Sequence, residues 1–127
     1  MTTVLLIDDE PDTLAVYAIL LELAGYRVLK ALDGAQALQA IAETVPDIIV
    51  TDWMMPGVNG KALCEQIRQP GSAHATTPII VSSAAMEAPD GAQKLYDEFL
   101  RKPLLIDELI SGMERVLSRS SRPGGSP

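Results

Sequence analysis

Aromatic residues make up only 4% of the chain: one Trp, three Tyr and one Phe. A core without them must be aliphatic, and the 47% hydrophobic content supplies the material. Cysteine is limited to Cys64. That excludes an internal disulfide and a multi-cysteine metal centre, and it fits a reducing cytoplasm. Cations are scarce: ten Lys and Arg against seventeen Asp and Glu give a net charge of −7. The clustered basic surface of a nucleic-acid binder is missing, so no direct nucleic-acid contact is expected. The balance suits a ligand that brings positive charge, such as a metal ion. No apolar run reaches the length of a membrane span, and no charged-then-apolar leader opens the chain. At 127 residues the chain is read as one soluble domain with its own core.

Against these absences stands a regular alternation. Short β-branched or Leu-rich runs occur at VLLI (4–7), YRVLKA (26–31), DIIVTD (47–52), PIIVSS (78–83) and DEFLRK (97–102). Three are almost continuously apolar, as strands buried on both faces should be. Helix-like stretches lie between them, at about 11–24, 34–43, 59 to just before Pro70, 89–95 and 105–117. The first has Pro11 near its start and Gly25 just past its end, the asymmetry expected of a helix. The stretch at 89–95 is weak, because Pro89 and Gly91 disfavour a helix. The 119–127 tail, rich in Ser, Gly, Pro and Arg, reads as disordered or a linker after a domain spanning 1–118. Five strands alternating with five helices predict a doubly wound α/β fold: a five-stranded parallel sheet in the flavodoxin-like order 2-1-3-4-5.

In such sheets ligands sit at the carboxyl ends of the strands. Those ends carry Asp8 and Asp9 after the first strand, Asp52 after the third, Ser83 after the fourth and Lys102 after the fifth. Taken singly, each has an ordinary explanation. Asp8 or Asp9 caps a helix, Asp52 belongs to a turn, and Lys102 is a solvated surface lysine. Taken together, three carboxylates converge and would raise one another's pKa values. A Mg²⁺ ion relieves that repulsion, because it is a hard cation with oxygen ligands.

Four segments, LLIDDEP, DIIVTDWMMPGVNG, PIIVSSAA and FLRKPL, occur in this order. With them the chain resembles, over about residues 3–118, the receiver domain of bacterial two-component response regulators. The resemblance implies that Asp52 accepts a phosphoryl group from a phosphohistidine of a sensor histidine kinase or a histidine phosphotransfer protein. It implies direct Mg²⁺ ligation by Asp9, Asp52 and the Met54 carbonyl, with Asp8 acting through water. It implies that Lys102, the Ser83 hydroxyl and the backbone N–H groups of Trp53 and Ala84 hold the phosphoryl oxygens. Pro103 would follow a cis peptide bond, and Pro56, Gly57 and Gly60 would shape turns. Ser83 and Phe99 would form the switch, with Phe99 working by packing since it lacks a hydroxyl. Such a domain is not a free-standing enzyme; it promotes its own phosphorylation and dephosphorylation.

The resemblance also implies surfaces. The first helix would dock the kinase or phosphotransfer partner. From Thr13 to Ala24 ten of twelve residues are apolar, and Leu14, Ala18 and Leu23 are expected on its outer side. A homodimer and output face would involve the fourth helix at 89–95, the fifth strand and the fifth helix at 105–117. The nineteen positions from Ser83 to Lys102, fewer than relatives usually have, shorten that segment. Met54 and Ala85 carry no group to orient a hydrolytic water, so slow self-dephosphorylation is expected. His74 reads as a surface histidine and Cys64 as a small buried residue. Other readings are a receiver segment of a larger regulator or hybrid histidine kinase, a flavodoxin-like ligand-binding module, and a phosphatase with an Asp nucleophile. The last two lack their loop signatures here: IDDEP follows the first strand, in place of a Ser/Thr/Gly-rich loop or an Asp-x-Asp pair.

Overall fold

The computed structural model of the chain describes residues 1–53, 60–72, 75–84 and 95–120. Five strands, β1 (Thr3–Ile7), β2 (Arg27–Ala31), β3 (Ile48–Asp52), β4 (Ile79–Ser83) and β5 (Glu98–Arg101), form one sheet in the order β2-β1-β3-β4-β5. All four neighbouring pairs are parallel. Four helices are described: α1 (Pro11–Leu23), α2 (Gly34–Glu43), α3 (Gly60–Ile67) and α4 (Ile106–Ser120). This is the predicted flavodoxin-like sheet. The helix expected at 89–95 falls outside the described residues except for Leu95, which stands in a turn.

The central strands β1, β3 and β4 are buried along their whole length. Period-two alternation divides their side chains between two cores. Leu5, Ile7, Ile49 and Val81 pack under Ile41 of α2 and Leu63 and Ile67 of α3. Val4, Leu6, Val50 and Ile80 pack under Leu14 and Leu21 of α1 and Leu109 and Met113 of α4. Each fully buried Leu or Ile is worth about 1.5–3 kcal/mol relative to exposure, so aliphatic burial carries this fold. Cys64 is fully buried in the α2–α3 core, and burial pushes its thiol pKa up to about 12.

Local signals fix the helix ends. Pro11 opens α1 after Glu10, and Gly25 at φ 101° follows its cap residue Ala24, a conformation open to glycine. Asp33 caps α2 by accepting from the Gln36 N–H at 2.8 Å, and Gln36 Oε1 accepts from the Leu32 N–H at 2.8 Å. Such a cap contributes about 1 kcal/mol. The last helix was expected to stop near Leu117, yet α4 continues to Ser120. Its final turn carries Arg119, whose guanidinium lies 3.2 Å from Glu98 Oε1 on β5 and extends the packing of helix on strand.

The orientation of α1 corrects one expectation. Leu14 and Ala18 do not face outward; with Leu21 they are buried against the sheet. The outer side carries Val16, Ile19 and Leu23, which are 54%, 56% and 80% exposed. A helix apolar almost all round has no polar stripe to reveal its buried side. Only the 14-18-21 spacing, one helical face, marks it.

Candidate functional site

The sheet's last backbone hydrogen bonds place the polar residues predicted for the site. The Asp8 N–H donates to the Ala31 carbonyl at 3.1 Å, and the Lys102 N–H donates to the Ser83 carbonyl at 2.8 Å. The Asp52 position pairs with Ser82 on β4. Each functional side chain thus leaves a strand end whose backbone is already anchored, which limits its freedom.

Asp8, Asp9 and Asp52 each offer a carboxylate oxygen, and these oxygens lie within 4.8 Å of one another. Asp8 and Asp52 are 8% and 5% exposed; Asp9 is the outermost of the three. Lys102 Nζ donates to Asp52 Oδ2 at 2.9 Å and lies 3.8 Å from Asp8 Oδ2. The Glu10 N–H donates to the other oxygen of Asp8 at 2.9 Å. Burial pushes the Asp8 carboxyl above its ordinary value, against the Glu10 N–H and Lys102 and with help from Asp52 and Asp9. Burial alone would lower Lys102. The hydrogen bond to Asp52 and the charges of Asp52, Asp8 and Asp9 outweigh it, and the ammonium sits above its ordinary range. One cation among three carboxylates leaves a surplus of negative charge. That donor set, hard oxygens without His or Cys, fits Mg²⁺. Met54, expected to add its carbonyl, lies outside the described residues, as do Pro56, Gly57, His74 and Ala85.

Ser83 is buried at the end of β4, and Ala84 stands exposed just beyond it. The Lys102–Pro103 peptide bond is cis. The Trp53 N–H donates to the Ser82 carbonyl at 2.8 Å and continues the β3–β4 ladder one residue past the Asp52–Ser82 pair.

Gly60 has a sharper role than a turn residue. As the first residue of α3 it donates its N–H to the Trp53 carbonyl at 2.8 Å. A Cβ there would lie 2.7 Å from Trp53 Cα and 2.9 Å from the Asp52 carbonyl oxygen. Those are backbone atoms and cannot give way, so only glycine lets α3 start this close to the site. Phe99, Tyr96 and Trp53 pack against the α2–α3 core, with the Trp53 and Tyr96 rings edge to face at 5.9 Å.

Two residues here escaped the sequence reading. The Tyr96 hydroxyl is buried and has no hydrogen-bond partner among the described residues. Tyr17 of α1 approaches the site from the other side of the sheet. Burial pushes its phenol up, with Lys102 opposing and Asp8 adding, so both charges are felt there. The scarcity of aromatics was the available signal: each one had to have a specific place.

Comparison with known proteins agrees with this geometry. A family profile described as the response regulator receiver domain matches residues 4–114. The transcriptional regulatory protein KdpE of Mycobacterium tuberculosis is 36% identical over 95% of this chain and 53% of its own length. The chain spans about half the length of the curated relatives it matches. The receiver domain of the Francisella response regulator 1452 superposes with a TM-score of 0.84 at 32% identity, covering 94% of this chain and 99% of that one. The response regulator protein TrrA of Thermotoga maritima, solved with Mg²⁺-BeF, gives a TM-score of 0.81 at 26% identity, covering 91% of this chain and 99% of that one.

Proposed function

The chain belongs to the response regulator receiver family, and on that premise we propose that Asp52 is its phosphoryl acceptor. The observation that carries the assignment is the Asp52 carboxylate, buried among Asp8 and Asp9 and held at 2.9 Å by Lys102. An Asp52 oxygen attacks the phosphorus of a phosphohistidine on a sensor histidine kinase or a histidine phosphotransfer protein. A phosphorus–oxygen bond forms and the phosphorus–nitrogen bond breaks, with its electron pair leaving on the imidazole nitrogen. The product is an aspartyl phosphate. Transfer of this kind depends on positioning and charge neutralisation more than on proton transfer.

Asp8, Asp9, Asp52 and the Met54 carbonyl would hold Mg²⁺, with Asp9 the direct ligand of the first pair and Asp8 acting through water. The ion would supply positive charge against the equatorial phosphoryl oxygens. Lys102 pairs with one of those oxygens, and the Ser83 hydroxyl and Ala84 N–H take others. Ser83 then moves toward the phosphoryl group and Phe99 repacks, so that the α4–β5 side differs between the two states. The domain promotes its own phosphorylation and dephosphorylation; Met54 and Ala85 would make the second slow.

The outward apolar residues Val16, Ile19 and Leu23 support α1 as the docking surface for the kinase or phosphotransfer partner. Residues 1–118 are the phosphoacceptor unit, and a homodimer is a further use of its α4–β5 side. Among the described residues no helix is long and apolar enough to cross a membrane. A cytoplasmic setting is where the phosphohistidine of a sensor kinase or phosphotransfer protein would meet Asp52. The expectation of no nucleic acid finds no support in the relatives: KdpE is named a transcriptional regulatory protein and is about twice as long as this chain.

The test is direct. Incubate the chain with acetyl phosphate and Mg²⁺ and weigh the intact protein. Wild type should gain one phosphoryl group, and Asp52→Asn should gain none. Equal labelling of both would overturn the assignment.

A further inference from the structure

Lys102 is the only cation paired with the acidic cluster among the described residues, and its chain direction changes immediately after it. Residues 102–105 form the short link from β5 to α4. A cross-connection from α1 helps to hold that link. The Tyr17 hydroxyl donates to the Leu104 carbonyl at 2.5 Å, across eighty-seven positions of sequence. Tyr17 and Leu104 also stand together in the wall of a cavity of about 400 Å³ that opens beside Asp8 and Lys102. The Lys102 side chain is itself about one-third exposed, so packing alone does not fix it. Its backbone is held on one side by the Ser83 carbonyl and, two residues later, by Tyr17.

We propose that Tyr17 is a positioning residue for phosphoryl transfer, a latch from α1 to the Leu104 carbonyl that holds Lys102 where it meets the Asp52 oxygen. The inference rests on the assignment of Asp52 as acceptor. It adds a coupling: α1 exposes Val16 and Ile19 outward and turns the neighbouring Tyr17 inward. A partner seated on α1 therefore presses on the helix that holds the latch. The Tyr17 hydroxyl directs its proton to the Leu104 carbonyl, not to a carboxylate of the acidic cluster. Its loss should slow transfer while leaving metal binding alone.

Tyr17→Phe keeps the ring and removes the donor. With saturating Mg²⁺ and acetyl phosphate, its rate of mass gain should fall about three- to tenfold, the change one neutral hydrogen bond carries. Its Mg²⁺ affinity, followed by Trp53 fluorescence, should stay within about twofold of wild type. Tyr17→Leu, which also removes the ring, should be slowed about as much as Tyr17→Phe. A Tyr17→Phe rate equal to wild type would overturn the proposal. So would a Mg²⁺ affinity that falls in step with the rate, or a Tyr17→Leu rate far below Tyr17→Phe, since either makes Tyr17 a packing residue. A wild type that gains no phosphoryl group would overturn the Asp52 assignment instead.

Discussion

At the amino end of the sheet, Arg68 reaches from the end of α3 to the Ala75 and Thr77 carbonyls and to Asp97 Oδ2 at 3.0 Å. The same Asp97 oxygen accepts from the Ile79 N–H, and Asp47 Oδ2 accepts from the Thr3 N–H at 2.7 Å. Each carboxylate there has a donor and belongs to a strand start. At the carboxyl end, three carboxylates share one lysine. Both ends set Asp carboxylates against one basic side chain, Arg68 or Lys102; the balance differs. A balanced end stabilises the fold. An end with surplus negative charge costs stability and leaves room for a cation and a charged reactant.

The largest loss of stability expected from a single substitution is at the balanced end. Arg68→Leu leaves two carbonyls and Asp97 without their guanidinium and should cost about 2 kcal/mol. Urea unfolding followed by far-ultraviolet circular dichroism measures it. Mg²⁺ affinity of the folded variant should match wild type. A loss of metal binding alongside stability would show that the two ends are not separate.

The opposite operation adds the missing charge at the other end. Mg²⁺ at a hundred times its dissociation constant should stabilise wild type by about 2.7 kcal/mol, because only the folded state assembles the three carboxylates. Arg68→Leu should gain the same increment. Asp9→Asn should lose most of it at the same ion concentration. If Asp9→Asn is stabilised as much as wild type, Asp9 is not a direct ligand.

Both ends were partly legible in the sequence, for different reasons. Buried strands of a parallel sheet are continuous apolar runs, so 4–7, 47–52 and 78–83 announced themselves, and the residues after each run announced the site. Asp8, Asp9, Asp52, Ser83 and Lys102 needed only the strand order to be brought together. The amino end had no such marker: Arg68 and Asp97 are ordinary surface residue types until α3 and β5 bring them within 3.0 Å. The buried side of α1 was hidden because the helix is apolar almost all round. Tyr17 was missed because its partner is a backbone carbonyl, which every residue has.

Cys64 lies on α3, between Gly60 at one end of the sheet and Arg68 at the other, and it offers the finest test. Its thiol is fully buried with a pKa near 12. At pH 8 only about one molecule in ten thousand would carry the thiolate in the folded state, and that one is shielded. Labelling by a disulfide reagent therefore reports opening of the fold rather than the native thiol. Arg68→Leu should accelerate labelling about thirtyfold, the population change that corresponds to ~2 kcal/mol. Asp9→Asn without metal should do the reverse, and weakly. Removing one of three repelling carboxylates relieves a partly solvated charge interaction worth only about 0.5 kcal/mol, so labelling should slow about twofold. That small change of sign is the discriminating result. If Asp9→Asn labels faster than wild type in the absence of metal, its carboxylate is a stabilising partner at the carboxyl end, and the surplus charge there is not a cost the fold bears.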